Sequence, residues 1–167
     1  PASAGPQGSV APAGTIPVTH GADTTIGMSP DPDYYVDSVI VNGSYRGSMT
    51  TYTFTGVRGD STIRVTFGQT VVTLHAAKGW NMVSLPFVRQ NRARSANFPT
   101  STSHAFFYEG STYQQFDTLQ PGKGYWLRCA GGMDTMIGGL PYTNDTIDVH
   151  QGWNMIGSIS DRLAASS

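Results

Sequence analysis

The chain has 167 residues, of which 38% are hydrophobic and 13% charged, with a formal net charge of -1. This length suits one large or two small domains, and the near-neutral charge argues against nucleic acid as a partner. No apolar run reaches the roughly 18 residues that a membrane-spanning helix needs. Abundant Gly, Pro, Ser and Thr favour short strands joined by tight turns. The composition therefore predicts an all-β protein.

The same composition predicts where the protein works. Low charge with a high content of Ser, Thr and Gly is typical of exported proteins, so we expect an extracellular or cell-surface location. The single cysteine, Cys129, has no partner for an internal disulfide and is interpreted as a small buried hydrophobe. Pro1 is not a natural translation start, so we expect that a preceding segment has been removed or left out.

The first part of the chain is predicted to be a linker followed by one β domain. Residues 1–7 are small or turn-forming and are interpreted as the linker. A long β-prone run over 35–41 and strict alternation of apolar residues over 63–67 predict strands. Asn42-Gly43 follows the first of these runs and predicts a tight hairpin, because both residues tolerate positive φ. The first domain is therefore expected over residues 8–68.

A spaced set of glycines, aliphatic residues and aromatics runs through this first domain. Its members are Gly8, Pro12, Gly14, Val18, Gly21, Tyr35, Val39, Val41, Gly43, Tyr52, Phe54, Val57, Ile63 and Phe67. The set resembles the bacterial repeat domain related to the internalin B-repeat, although Asp60-Ser61-Thr62 replaces that family's common Asn-His-Thr. The resemblance implies a small β-grasp-like or immunoglobulin-like spacer of secreted multidomain proteins, without catalytic residues.

The second part of the chain is predicted to be a β-sandwich-like domain over residues 71–159, with a tail over 160–167. Its predicted strands cover 71–74, 80–85, 105–108, 125–129, 133–137, 146–149 and 153–156. Turn-forming Gly and Pro residues separate several of these runs. The expected architecture of the whole chain is therefore two small β-rich domains in tandem.

An internal repeat is the most informative feature of the sequence. KGWNMVS at 78–84 recurs as QGWNMIG at 151–157. The glycine favours a tight turn, the asparagine bonds to local backbone, and the tryptophan is expected to be a large buried anchor. Sugar stacking or protein binding is the alternative role of the tryptophan. The predicted structural anchors, equivalent between the two copies, are Trp80, Asn81, Trp153 and Asn154.

Residues 79–86 and 119–127 carry a second resemblance. Their pattern, G-W-N-M-V-S-L-P and later L-Q-P-G-K-G-Y-W-L, is similar to a β-rich module common near the C-terminal ends of proteins exported by the type IX route in Bacteroidota-like bacteria. In that family each Gly-Trp-Asn unit opens another domain or half-domain. We therefore expect the segment after Gly152 either to fold back on residues 71–149, which is favoured, or to join a neighbouring subunit's sheet.

Residue patterns for catalysis and metal binding are absent from the sequence. The four histidines lie in no zinc motif, no G-x-S-x-G elbow occurs, and Gly122-Lys123-Gly124 lacks the P-loop spacing. Asp31, Asp33 and Asp37 are candidate Ca²⁺ ligands, with a solvated turn as the alternative. The protein is therefore predicted not to be an enzyme and to need no cofactor.

Aromatic residues of the second domain are the remaining candidate binding residues. They are Tyr108, Tyr113, Phe116, Tyr125 and Trp126, and strand alternation predicts that about half of them face the core. We expect a structural or adhesive module of an extracellular bacterial surface protein or fibre, with protein partners or self-association. The alternative is a carbohydrate-binding accessory module of a secreted hydrolase, with a glycan as its ligand.

Overall fold

The computed structural model describes residues 1–160 and is nearly all β, with 47% of residues in strands and 2% in helix. The all-β prediction is confirmed. The chain divides into two compact units, Pro1–Gln69 and Thr70–Ser167. In the part of the chain that the structure describes, no helix has the length and apolar character needed to cross a membrane.

Seven strands in two sheets form the first unit. They are β1 (Ala2–Ala4), β2 (Gly8–Ala11), β3 (Thr24–Pro30), β4 (Tyr35–Val41), β5 (Ser44–Tyr45), β6 (Thr51–Phe54) and β7 (Ile63–Gly68). One sheet has the order β1-β7-β4-β5 and the other β2-β3-β6. Both sheets contribute to one core, formed by Ala2, Val10, Ile26, Met28, Val36, Val39, Val41, Ile63 and Val65.

Strand β4, predicted as a β-prone run, alternates between core and surface with one irregularity. Val39 and Val41 face the core, as their two-residue spacing requires. A bulge just after Val36 adds one residue to the strand, so Val36 also faces the core. At the end of the strand, Asn42 and Gly43 have φ angles of 49° and 79° and connect β4 to β5. The predicted hairpin is therefore confirmed.

The predicted linker over residues 1–7 is wrong. Within it, β1 pairs in parallel with β7, so that Ala2 lies opposite Ile63 and Ala4 opposite Val65. Ala2 is 3% exposed and belongs to the core. The alanine side chains are small enough to fit beside β7, and such short side chains carry little β signal in the sequence.

Over its described residues, 70–160, the second unit combines seven further strands with one short helix. They are β8 (Thr70–Ala76), β9 (Gly79–Val83), β10 (Phe87–Val88), α1 (Arg94–Asn97), β11 (Ala105–Tyr108), β12 (Tyr113–Phe116), β13 (Tyr125–Cys129) and β14 (Met133–Pro141). One sheet has the order β10-β14-β8 and the other β12-β11-β13-β9. Side chains of both sheets form one core, made of Leu74, Val83, Leu85, Phe87, Phe98, Ala105, Leu119, Tyr125, Leu127, Cys129, Met133 and Ile137.

Two of the strands predicted in this unit do not form. Residues 146–149 have no ladder partner, and within 153–156 only Ile156 makes an isolated bridge, to Lys123. Most of this segment is exposed. A β-prone sequence becomes a strand only beside a partner edge, and the described residues provide none there. Of the predicted tail over 160–167, residues 161–167 lie outside the described residues.

Candidate functional site

The four-stranded sheet of the second unit has one buried and one exposed face. Tyr125 and Leu127 of β13 point into the core, as does Val83 of β9. Adjacent residues of a strand point to opposite faces, so Trp126 of β13, between Tyr125 and Leu127, and Met82 of β9, next to Val83, point outward. They lie directly opposite each other in the strand register. The alternation of β13 and β9 thus separates a packed inner face from an outer face with large side chains.

The outer face, which we call the aromatic face, is formed by residues that share one side of all four strands. They are Trp80 and Met82 of β9, Phe106 and Tyr108 of β11, Tyr113 and Gln115 of β12, and Trp126 and Arg128 of β13. Directly opposed residues of neighbouring strands lie on the same side of a sheet, which places these eight together. The face brings together five aromatic rings.

The rings of the aromatic face form a shallow concavity rather than a packed cluster. Trp80 and Phe106 have centroids 5.9 Å apart, and Tyr108 and Tyr113 have centroids 5.2 Å apart. The concavity measures about 490 Å³ and is lined by Trp80, Phe106, Tyr113 and Trp126. Its volume lies within the range of small-molecule sites, about 300–1,000 Å³. This arrangement offers ring faces to a ligand.

Most of the predicted binding aromatics lie on this face, and one does not. Tyr108, Tyr113 and Trp126 are on the aromatic face, whereas Tyr125 is fully buried and was wrongly included. Its hydroxyl accepts a hydrogen bond from the Gln120 N–H at 3.1 Å, and burial raises the pKa of that hydroxyl. Adjacent residues of a strand point to opposite faces, so Tyr125 and Trp126 could not both be exposed.

Sequence reasoning missed Phe106 and Arg128 as members of the face. Phe106 is two residues from Tyr108, and Arg128 is two residues from Trp126, so the strand period placed each pair on one side. Phe116, a further candidate, packs instead against the core. Strand period combined with the polar character of Arg128 was the available signal for the outer face of β13.

The expected burial of the repeated tryptophans is wrong. Trp80 is 56% exposed and Trp153 is 88% exposed. In the first copy, Val83 and Leu85 are the residues that enter the core, so the strand period turns Trp80 outward. In the second copy, Trp153 belongs to a segment without a sheet around it. Neither indole is a core anchor.

The asparagines of the repeat form equivalent turns, as predicted. Asn81 Oδ1 accepts a hydrogen bond from the Ala77 N–H at 2.8 Å, and its Nδ2 donates to the carbonyls of Ala77 and Gly79. Asn154 makes the same three bonds to the residues four and two positions before it. Gly79 and Gly152 have φ angles of 103° and 102°, which favour glycine.

The segment after the second turn folds back on the second unit, the alternative that the sequence favoured. The Gly157 N–H donates to the Gly122 carbonyl at 2.9 Å, and the Ser158 and Ser84 hydroxyls are 2.8 Å apart. A Cβ added at Gly124 would lie 2.7 Å from the Ile156 carbonyl oxygen. The glycines of the Pro-Gly-Lys-Gly motif therefore allow close backbone contact with this segment.

The candidate Ca²⁺ ligands do not form a metal site. Asp31 and Asp33 lie at the turn between β3 and β4, where the Tyr34 N–H donates to the Asp31 carbonyl, and Asp37 lies within β4. Across residues 1–160, no group of three or more His, Cys, Asp or Glu side chains has an arrangement that could hold a metal ion. The turn interpretation accounts for the two aspartates at 31 and 33.

Arg94, His104 and Asp117 form a cluster of charged groups at the surface of the second unit. Arg94 Nε donates to Asp117 Oδ1 at 3.1 Å, and His104 Nδ1 lies 3.0 Å from both carboxylate oxygens. The hydrogen bond from Arg94 and then that from His104 lower the pKa of the Asp117 carboxyl below its usual value. The cluster ties α1 to the segment after β12.

Comparison of the chain with protein-family models, with curated proteins and with solved structures finds no match in any of the three. The two family resemblances therefore stay expectations.

Proposed function

We propose that the chain is a non-catalytic adhesive module of an extracellular bacterial surface protein or fibre, which binds polysaccharide through the aromatic face. The observation that carries the proposal is the set of five aromatic rings on one sheet face, of which Trp80 and Tyr113 are more than half exposed. Contiguous apolar surface on a soluble protein usually marks a site that a ligand or partner covers. The low charge and high Ser, Thr and Gly content support the extracellular location.

The internal repeat supports a binding role for tryptophan. Glycine and asparagine account for the turn in both copies through its backbone conformation and hydrogen bonds. Tryptophan makes no comparable contribution, because Trp80 and Trp153 are more than half exposed. An exposed indole that recurs at the same place in both turns is better explained by contact with a ligand than by packing of the protein.

The shape and chemistry of the aromatic face favour a sugar polymer. Tryptophan and tyrosine rings stack against the C–H faces of sugar rings, and they lose little conformational entropy when they do so. Gln115 and Arg128 lie on the same side of the sheet and provide hydrogen-bond donors for hydroxyl groups. An extended sheet face with several rings suits a polymer that makes repeated contacts.

A second candidate function uses the same surface. An accessory carbohydrate-binding module of a secreted hydrolase would also present indoles such as the exposed Trp80 and the partly buried Trp126 to a polysaccharide. The two functions differ in what else the full-length protein carries, since the accessory module needs a catalytic domain on the same polypeptide. The sequence of the complete gene distinguishes them.

Retention on insoluble polysaccharides, both neutral (cellulose, chitin and xylan) and acidic (alginic acid), tests polysaccharide binding. The native chain is compared with Trp80→Ala and with Tyr45→Ala, which removes a 68% exposed ring from the first unit. We expect retention on at least one polymer, weakened about tenfold or more by Trp80→Ala and unchanged by Tyr45→Ala. Retention on none of the polymers, or equal retention of all three proteins, would refute the proposal.

A further inference from the structure

An unpaired cation lies within the aromatic face. Arg128 is exposed and sits directly opposite Trp80 in the pairing of β13 with β9. The salt bridges found across residues 1–160 do not include its guanidinium, whereas Arg94 is paired with Asp117. None of the eight residues of the aromatic face is a carboxylate. The face therefore has a positive charge and no negative one.

This charge restricts which ligands can cover the face. Covering a guanidinium without giving it a hydrogen-bonding partner costs free energy, so a matching ligand supplies an acceptor beside Trp80. A cationic ligand, such as a quaternary ammonium held by aromatic rings, would be repelled by Arg128 and would find no carboxylate. A carboxylate matches the planar guanidinium, which binds it through two parallel hydrogen bonds.

Arg128 and the neighbouring indole lie close enough to contact one sugar residue. Adjacent strands are about 4.8 Å apart, so the backbones of the directly opposed Arg128 and Trp80 are separated by about the width of one sugar ring. A sugar that stacks on the indole would then present a ring substituent to the guanidinium. In a uronic acid that substituent is a carboxylate.

We infer that the aromatic face binds an acidic polysaccharide, a polymer of uronic acids, with Trp80 stacking on the sugar ring and Arg128 binding its carboxylate. The inference rests on the proposed function and names its ligand class. Gln115 lies across the sheet, opposite Phe106, and provides an amide for sugar hydroxyls. A single-stranded nucleic acid and an acidic peptide are also anionic polymers that Arg128 could bind, so both are included in the test as competing ligands.

The test compares two polymers that share a backbone, polygalacturonate and its fully methyl-esterified form, in which the carboxylates are neutral. Binding of each is measured by affinity electrophoresis at matched ionic strength, because exposed charges are screened by salt. The proteins are the native chain, Arg128→Gln, and Arg92→Gln as a matched control on the loop between β10 and α1. Thermal unfolding of each variant is recorded first, to establish that it is folded.

We expect the native chain and Arg92→Gln to bind polygalacturonate about tenfold or more tightly than the ester, and Arg128→Gln to bind both alike. If the native chain binds both equally and Trp80→Ala loses both, the carboxylate inference fails while the proposed function stands. A preference for the acid that survives in Arg128→Gln also refutes the inference. Tighter, Arg128-dependent binding of oligo(dT) or polyglutamate would refute it as well. Absence of binding to polygalacturonate would also refute the inference, and retention on the neutral polymers would then decide the proposed function separately.

Discussion

The two Gly-Trp-Asn-Met turns of the second unit have the same local structure in different surroundings. In both, asparagine makes three hydrogen bonds to the preceding backbone and glycine adopts a φ near 100°. The first turn opens β9, which pairs along its five residues with β13. The second opens a segment in which only Ile156 forms a bridge, to Lys123. The turn is therefore encoded locally, whereas the strand depends on a partner edge.

The same comparison separates the roles of the motif's residues. Asparagine and glycine act within the turn, so they behave alike in the two copies. Tryptophan depends on what lies beside it: Trp80 contacts Phe106 on the aromatic face, whereas Trp153 has no ring contact among those found in the described chain. Variants that act on one copy at a time therefore test whether the two turns differ in their contribution to stability.

A substantial loss of stability is expected from a substitution where the second copy docks. Gly124→Ala would place a Cβ 2.7 Å from the Ile156 carbonyl oxygen, so the segment after the second turn must move away. We expect the free energy of unfolding to fall by about 1–3 kcal/mol, as for overpacked sites. We also expect faster hydrogen exchange at the Gly157 amide, which donates to the Gly122 carbonyl in the native chain. Gly131→Ala is the matched control, because a Cβ there meets nothing within 4 Å. Equal behaviour of the two variants would contradict this docking.

The asparagines should differ in their effect on global stability despite identical bonds. Asn81→Ala removes three hydrogen bonds beside a paired strand, and we expect it to lower the free energy of unfolding by about 1–3 kcal/mol. Asn154→Ala removes the same bonds from an exposed segment that can open without unfolding the core, so its effect should stay within about 0.5 kcal/mol. Urea unfolding measures both. Equal losses would show that both turns support the core.

The tryptophans should affect stability less than any core residue of the same sheet. Trp80→Ala is expected to cost about 1 kcal/mol or less and Trp153→Ala less than about 0.5 kcal/mol, because both indoles are largely exposed. Leu127→Ala, at a fully buried position of β13, provides the core reference at about 2–5 kcal/mol. Guanidinium unfolding curves give the three values. A Trp80→Ala cost close to that of Leu127→Ala would restore the buried-anchor interpretation.

These differences indicate which parts of the fold the sequence can predict. Strict alternation identified β7, a run rich in aromatics identified β13, and Asn42-Gly43 identified a hairpin, because each signal is local. Strand β1 could not be identified, since its alanines have no pattern and its pairing with β7 joins distant parts of the chain. Residues 146–149 and 153–156 were predicted as strands for the opposite reason: they have strand-like sequences without a partner edge.

The candidate site was predictable in its residue types and less so in its orientation. Tyr108, Tyr113 and Trp126 were identified as binding aromatics, and alternation required about half of the candidates to face inward. Which half faces inward is decided by packing between two sheets, so Tyr125 was misplaced. Trp80 was misplaced because a large aromatic at a strand start suggests a core, although burial of Val83 and Leu85 fixes the opposite orientation.

The smallest effect on stability is expected at Asp117. Neither repeated turn contains a carboxylate, so Asp117 provides a measure of pH-dependent stability that is independent of both turns. Hydrogen bonds from Arg94 and then from His104 lower the pKa of Asp117 below its usual value in the folded chain. A carboxylate with a lowered folded pKa stabilises the fold above its unfolded pKa, and this contribution is lost as the pH falls through the folded pKa. Because the carboxylate is exposed, solvent screens the contribution and it should be small.

Asp117→Asn should therefore slightly lower the melting temperature at neutral pH and make its decline in acid less steep. Melting curves from about pH 2 to about pH 7 measure both effects, with Asp148→Asn, an exposed position in the segment before the second turn, as the control. If the native chain and Asp117→Asn lose stability in parallel on acidification, the contacts with Arg94 and His104 do not couple this carboxylate to folding. If Asp148→Asn loses the acid dependence instead, the acid-sensitive contact lies beside the second turn. The two turns would then differ in electrostatics as well as in strand pairing.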